Sequence, residues 1–213
     1  MHKASVPKAT LGRLPQYLHF LQELPPEKTP TISATAIAKA LSLGEVQVRK
    51  DLAMVSDGGR PKIGYLRESL IDDIEQFLGY DNTTDAVLVG FGKLGQALMG
   101  YKGFSEYGLN IQVAFDPHPE RKQHIVDKPI YPVSELEEFC RNNKVMVGII
   151  TAPAAHAQEV ANQLIAGGVK AIWSFAPVHL NVPDNIIVQY ENMATGLAVL
   201  SVHLQAHINE EKK

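Results

Sequence analysis

Along the first quarter of the chain, apolar residues recur at intervals of three and four, the spacing that places them on one helix face. In "LGRLPQYLHFLQEL", Leu11, Leu14, Leu18, Leu21 and Leu24 form such a stripe, and Pro25-Pro26 ends it. Pro15 fits this helix if it lies in the first turn. "TISATAIAKALSL" predicts a second short helix, with Ser33 as its N-cap and Ile37 and Leu41 on one face. After Gly44, "EVQVRKDLAMV" predicts a third, with Val48, Leu52 and Val55 inward and Gln47, Arg49, Lys50 and Asp51 outward or on the flanks. "DGGRPKIGY" carries the turn residues of a hairpin. Three short helices and a basic hairpin describe a winged helix-turn-helix over residues 1–80, with the amphipathic "RESLIDDIEQFLG" as a connecting helix.

Past Asp81 the period changes. "DAVLVG", "NIQVAFD", "VMVGIIT", "VKAIWSFAP" and "NIIVQYE" read as strands, and "GKLGQALMGY" and "AAHAQEVANQLIAGG" as helices between them. "PIYPVSELEEFCRNN" reads as a short turn and a helix capped near Ser134. Alternating strands and helices predict an α/β domain with a Rossmann-like parallel sheet over 81–191. Residues 192–213 form a final helix, "NMATGLAVLSVHLQAHI", whose Met193, Leu197, Leu200, Leu204 and Ile208 share a stripe. That stripe packs either on its own domain or on a second subunit, and periodicity does not choose between them.

Charge separates the two modules. Residues 1–67 carry 10 Lys+Arg against 5 Asp+Glu, and the remainder 10 against 18, within a chain of net charge -3. A basic module attracts polyanions and an acidic one repels them. No stretch reads as a membrane span, "MHKASVPKATLGRLP" lacks the apolar core of a secretion signal, and Cys140 has no second cysteine to pair with. A cytoplasmic protein is expected, with Cys140 as a packed helix residue.

The densest chemistry lies in "GFGKLG", Gly90-Phe91-Gly92-Lys93-Leu94-Gly95, between a strand and a helix. The following strand ends in Asp116, with Pro117 after it, at the distance expected of a dinucleotide fingerprint. Gly90 allows a tight turn, Gly92 lets backbone approach a pyrophosphate, and Gly95 lets helix pack on strand. The helix N-terminus then holds negative charge. Asp116 can accept from both ribose hydroxyls and repels a 2′-phosphate, so NADH/NAD+ is favoured as ligand, although nearby Arg121 argues for NADP(H). Thr151, Ala152 and Pro153 end one strand and Ser174, Phe175, Ala176 and Pro177 the next. Both groups are candidates to border the nicotinamide half. One alternative is a Rossmann-like sheet with no ligand.

Little here equips an enzyme. An NAD-dependent oxidoreductase needs a substrate region and a proton donor, and His118, His156 and His179 are scattered. His203 and His207 are spaced to share a metal, but no carboxylate or thiolate stands near enough to complete a set, so no metal is expected. A sensor, with the cofactor as signal, is the leading expectation. An NAD-dependent oxidoreductase and a nucleotide-binding scaffold related to CoA-binding sheets are the alternatives.

In order along the chain, "KATLGRLPQYLHFL", "VQVRKDL", "IGY", "VGFGKLGQAL", "YKGFSEYGL", "AFDPHPE", "TAPA", "FAPV" and Gly196-Leu197 resemble the Rex family of NADH/NAD+-responsive transcriptional repressors. The resemblance covers nearly the whole chain. It implies a homodimer that binds operator DNA, an inverted repeat, through the winged helix and releases it when NADH binds. It also implies a C-terminal helix swapped onto the partner subunit. Arg49 and Lys50 match the family's recognition-helix pair, Arg60 and Lys62 its wing, Arg13 a first-helix basic residue and Tyr101 a pocket tyrosine near the nicotinamide. Gln47, in the same recognition helix, is a candidate base reader, since an amide pairs bidentately with adenine. Three positions depart from the pattern. "MVSDGGRPKIGY" replaces an aromatic wing, Asn192-Met193 stands where many members have an acid and a bulky apolar residue, and His19 stands for an arginine. In the family that arginine and acid couple the domains. Here His19 and Asn192 would form a neutral, pH-sensitive contact instead, with Met193 and Leu197 as further candidates for coupling domains or subunits.

Overall fold

The computed structural model describes residues 6–121 and 127–211, apart from the side chains of Arg121, Met193 and Glu211. It divides into two compact units, Met1–Asn82 and Thr83–Lys213. The first contains α1 (Lys8–Glu23), β1 (Thr31–Ile32), α2 (Ala34–Ala40), α3 (Glu45–Val55), β2 (Tyr65–Leu66) and α4 (Arg67–Leu78). The stripes of α1 and α3 meet those of α2 and α4 in one core containing Leu14, Leu18, Leu21, Ile37, Val48, Leu52, Leu70 and Ile74. Ser33 caps α2, its hydroxyl accepting from the Ala36 amide at 3.1 Å. β1 and β2 pair antiparallel, Ile32 opposite Tyr65.

Two sequence expectations change in this unit. α1 begins at Lys8, so Pro15 lies two turns inside it rather than in its first turn. Its missing amide leaves the Leu11 carbonyl without an intrahelical donor, but Leu11 is exposed and water can serve it. Asp51 is not on the outer face of α3. It is buried, turned towards α1.

The second unit contains β3 (Thr84–Val89), α5 (Lys93–Gly100), β4 (Leu109–Asp116), β5 (Ile130–Pro132), α6 (Leu136–Asn142), β6 (Val147–Ile150), α7 (Ala154–Ala166), β7 (Ala171–Ser174), β8 (Ile187–Tyr190) and α8 (Met193–Glu211). Its strands lie in the order β5-β4-β3-β6-β7-β8, all parallel. Alternation along β3 and β4 feeds two cores. Val87, Val89, Val113 and Phe115 face α6 and α7, while Ala86, Leu88 and Ala114 face the layer that holds Phe91 and Met99. The segment expected as a turn before α6 instead adds strand β5, and α6 starts at Leu136 without a side-chain cap from Ser134. Burial raises the Cys140 thiol to about 11, so it stays a protonated core group. On α8, the apolar Leu197, Leu200 and Leu204 are 64%, 64% and 52% exposed.

Candidate functional site

α3 shows Gln47, Arg49 and Lys50 on its exposed face, beside the exposed apolar Val46 and Met54. Arg49 pairs with Glu45 one turn back. Arg60 and Lys62 lie on the exposed tip after α3. There the backbone of Arg60 exchanges hydrogen bonds with Gly64, at 2.8 and 2.9 Å, closing a tight hairpin. Two residues in this turn have positive φ, Lys62 at 66° and Gly64 at 87°. Gly64 is required, because a Cβ there would lie 2.2 Å from the Ile32 carbonyl oxygen. Lys62 adopts a conformation that usually selects glycine or asparagine, which holds its ammonium at the tip.

Below this face lies a polar network that periodicity did not reveal. Asp51 accepts from Thr10 Oγ1 at 2.9 Å, Tyr17 Oη at 2.8 Å, and Arg13 Nε and Nη2 at 2.7 and 2.9 Å. Burial alone would raise its carboxyl, but hydrogen bonds from Arg13, Tyr17 and Thr10 outweigh burial and hold it below the usual carboxylate range. Burial, and then the bond to Asp51, push Tyr17 up to about 12. The network ties α1 to α3, so it sets where the α3 face stands. Arg13, expected at the DNA surface, has its guanidinium largely engaged here.

In the second unit, the carboxyl ends of β3, β4 and β6 open into a cleft of about 550 Å³. It lies where the strand order reverses, the position at which open parallel sheets bind ligands. Gly90, Gly92, Asp116, Pro117, Thr151, Ala152 and Pro153, all candidates from the sequence, line it. Gly90 has φ of 102°, and a Cβ would lie 2.6 Å from the Ala152 amide, so the glycine brings two strand ends together. Gly95 packs under the loop, where a Cβ would meet the Gly90 carbonyl at 2.3 Å. Thr151 Oγ1 donates to that carbonyl at 2.6 Å. Gly92 has open space above it, and α5 starts there. Asp116 is buried and accepts from the Phe91 amide at 2.9 Å and the His118 amide at 3.0 Å. Its carboxylate thus fixes the glycine loop while bordering the cleft.

Several expected residues stand elsewhere. Phe91 is a core residue, and Lys93 and Leu94 do not line the cleft. Tyr101 lines a different cavity with Met99, Phe104 and Lys128, its ring 4.9 Å from Phe104. Phe175, Ala176 and Pro177 line a third with Asn192. Asn192 acts at the start of α8, where its Oδ1 accepts from the Ala194 amide at 3.0 Å. His19 is exposed on α1, 3.3 Å from Glu23. The side chains of Met193 and Arg121 fall outside the described residues. Conversely, α7 adds His156, Glu159, Val160 and Gln163 to the cleft, and His118 and Val133 complete it. The α7 residues follow helical spacing, so their common face was visible in sequence. Its direction was not.

Residues 81–178 match the family model described as "CoA binding domain", and residues 5–53 the one described as "Putative DNA-binding protein N-terminus". The redox-sensing transcriptional repressor Rex of Treponema denticola is 42% identical over 95% of this chain and 97% of its own. That of Carboxydothermus hydrogenoformans is 40% identical over 94% and 97%. The Rex-family repressor RSP, solved with NAD+ and operator DNA, superposes with a TM-score of 0.88 at 32% identity, over 98% of this chain and 97% of that one. RSP with NADH gives 0.85 at 31%, over 99% and 100%. These relatives are repressors rather than enzymes, which sets the oxidoreductase alternative aside. With both units matched in order along nearly the whole chain, this protein belongs to the Rex family of redox-sensing transcriptional repressors.

Proposed function

We propose that the protein is a redox-sensing repressor that binds operator DNA as a homodimer and leaves it when NADH fills the cleft. Its occupancy of DNA then reports the NADH/NAD+ ratio. The observation that carries this reading is the Asp116 junction, where the carboxylate both borders the cleft and fixes the glycine loop through the Phe91 amide. In this reading Gly90, Gly92 and the start of α5 hold the pyrophosphate, and Asp116 takes the adenosine ribose and disfavours a 2′-phosphate. RSP, solved with NAD+ and operator DNA and with NADH, supports the same two nucleotides.

On the DNA side, α3 enters the major groove with Gln47, Arg49 and Lys50 towards it, while Arg60 and Lys62 meet phosphates or the minor groove. The exposed apolar side chains of α8 are covered by a second copy of the chain. A twofold dimer reads an inverted repeat. The protein works in the cytoplasm; among the described residues no helix is long and apolar enough to cross a membrane. The test is gel retardation with duplexes enriched from a random pool. NADH should release them at concentrations where NADPH does not. Binding indifferent to NADH would overturn the reading.

A further inference from the structure

Helical spacing sorts the side chains of α3 by direction. Val48 and Leu52 lie in the core of the first unit, and Val55 packs against it. Opposite them run Val46, Lys50 and Ala53, all exposed, so this row is the ridge of the helix farthest from the core. Gln47 and Arg49 flank it. Val46 opens the ridge, in the first turn, and is 66% exposed. A valine is poorly suited to that place if water is its only neighbour. It is a weaker helix former than alanine, and its branched side chain leaves apolar surface in solvent.

We propose that Val46 reads a thymine in the major groove by contact with its C5 methyl group. This rests on the operator-binding function proposed above, in which α3 enters that groove. The first residues of such a helix are those that meet base edges. Of the groups that tell base pairs apart there, all but one donate or accept hydrogen bonds, and the exception is the thymine methyl. A valine side chain does neither. Set over a polar edge, it would strip water and return no hydrogen bond. Set against the methyl, both apolar surfaces leave water together. Among the exposed or half-buried side chains in the first two turns of α3, only Val46 has no polar group; the others are Glu45, Gln47, Arg49 and Lys50. The polar residues then fix helix and groove together, and Val46 adds a preference for the methylated base.

The test compares wild type with Val46→Ala, which removes two methyl groups from an exposed position and keeps a good helix former there. A duplex enriched by wild type from a random pool is remade with deoxyuridine in place of each thymine of one half-site in turn. That exchange deletes only the C5 methyl. At one thymine it should weaken wild-type binding about fourfold, the worth of one methyl group removed from water, and leave Val46→Ala binding unchanged. NADH should release DNA from both proteins. The inference is overturned if no exchange weakens wild type, if every exchange that does so weakens Val46→Ala equally, or if the enriched half-site contains no thymine. Failure of wild type to enrich any duplex would remove the repressor reading as well.

Discussion

Two buried aspartates, one in each unit, do opposite work. Asp51 accepts from three side chains, one of them a cation more than 30 residues away in sequence. Its partners are all protein groups, so it serves as a tie between helices. Asp116 accepts from two backbone amides in loops beside an open cleft. Its carboxylate borders the cleft, where the proposed function has it meet the adenosine ribose. The two carboxylates thus differ in setting: Asp51 is closed in by side chains of another helix, while Asp116 stands at a cavity edge.

The contrast breaks most visibly on substitution. Asp51→Ala leaves Arg13 and Tyr17 without their acceptor and should cost about 3–5 kcal/mol. Thermal melting should show the loss in the first unit, while NADH fluorescence in the cleft persists. Equal loss of NADH binding would mean that the two carboxylates are not separable.

Acidification should give a smaller loss of the same origin. Asp51 titrates lower in the folded state than when unfolded, so its stabilisation is present above the ordinary carboxylate range and fades as pH falls below about 4. Tyr17 has the opposite sign. Its folded value of about 12 exceeds the ordinary value of 10.0, so stability declines as pH rises from 10 to 12. Denaturant midpoints measured across pH should form a plateau with these two edges, and Asp51→Asn should remove the acid edge.

Asp116→Asn sharpens the other half of the comparison. It keeps an acceptor but loses the charge, so NADH affinity should fall by about 1–3 kcal/mol while NADPH loses less. Titration calorimetry with both nucleotides reads the difference. Smallest of all is Lys62→Gly. It relieves a left-handed lysine and should stabilise the first unit by about 1 kcal/mol or less, while removing one charge should lower the salt slope of DNA binding by about one.

The order of elements and the glycine loop were legible because each depends on local spacing. Asp116 was legible because the fingerprint sets its distance from Gly95. Asp51 was not, since its role depends on Arg13, Thr10 and Tyr17 arriving from another helix, and in sequence it looked like one more polar residue beside Arg49 and Lys50. The cleft shows the same limit. His156, Glu159, Val160 and Gln163 share a visible stripe, yet only the packing of α7 against the sheet decides that this stripe meets the cavity. Tyr101 and Phe175–Pro177 lie at expected chain positions but line other cavities of this unit.

The most direct measurement is anisotropy of a labelled, enriched operator duplex, titrated with NADH in the presence of wild-type protein or Asp116→Asn. NADH should release DNA from wild type, and release from Asp116→Asn should require on the order of tenfold more. Release at the same NADH concentration from both proteins, or no release from wild type, would contradict a repressor that senses NADH through Asp116.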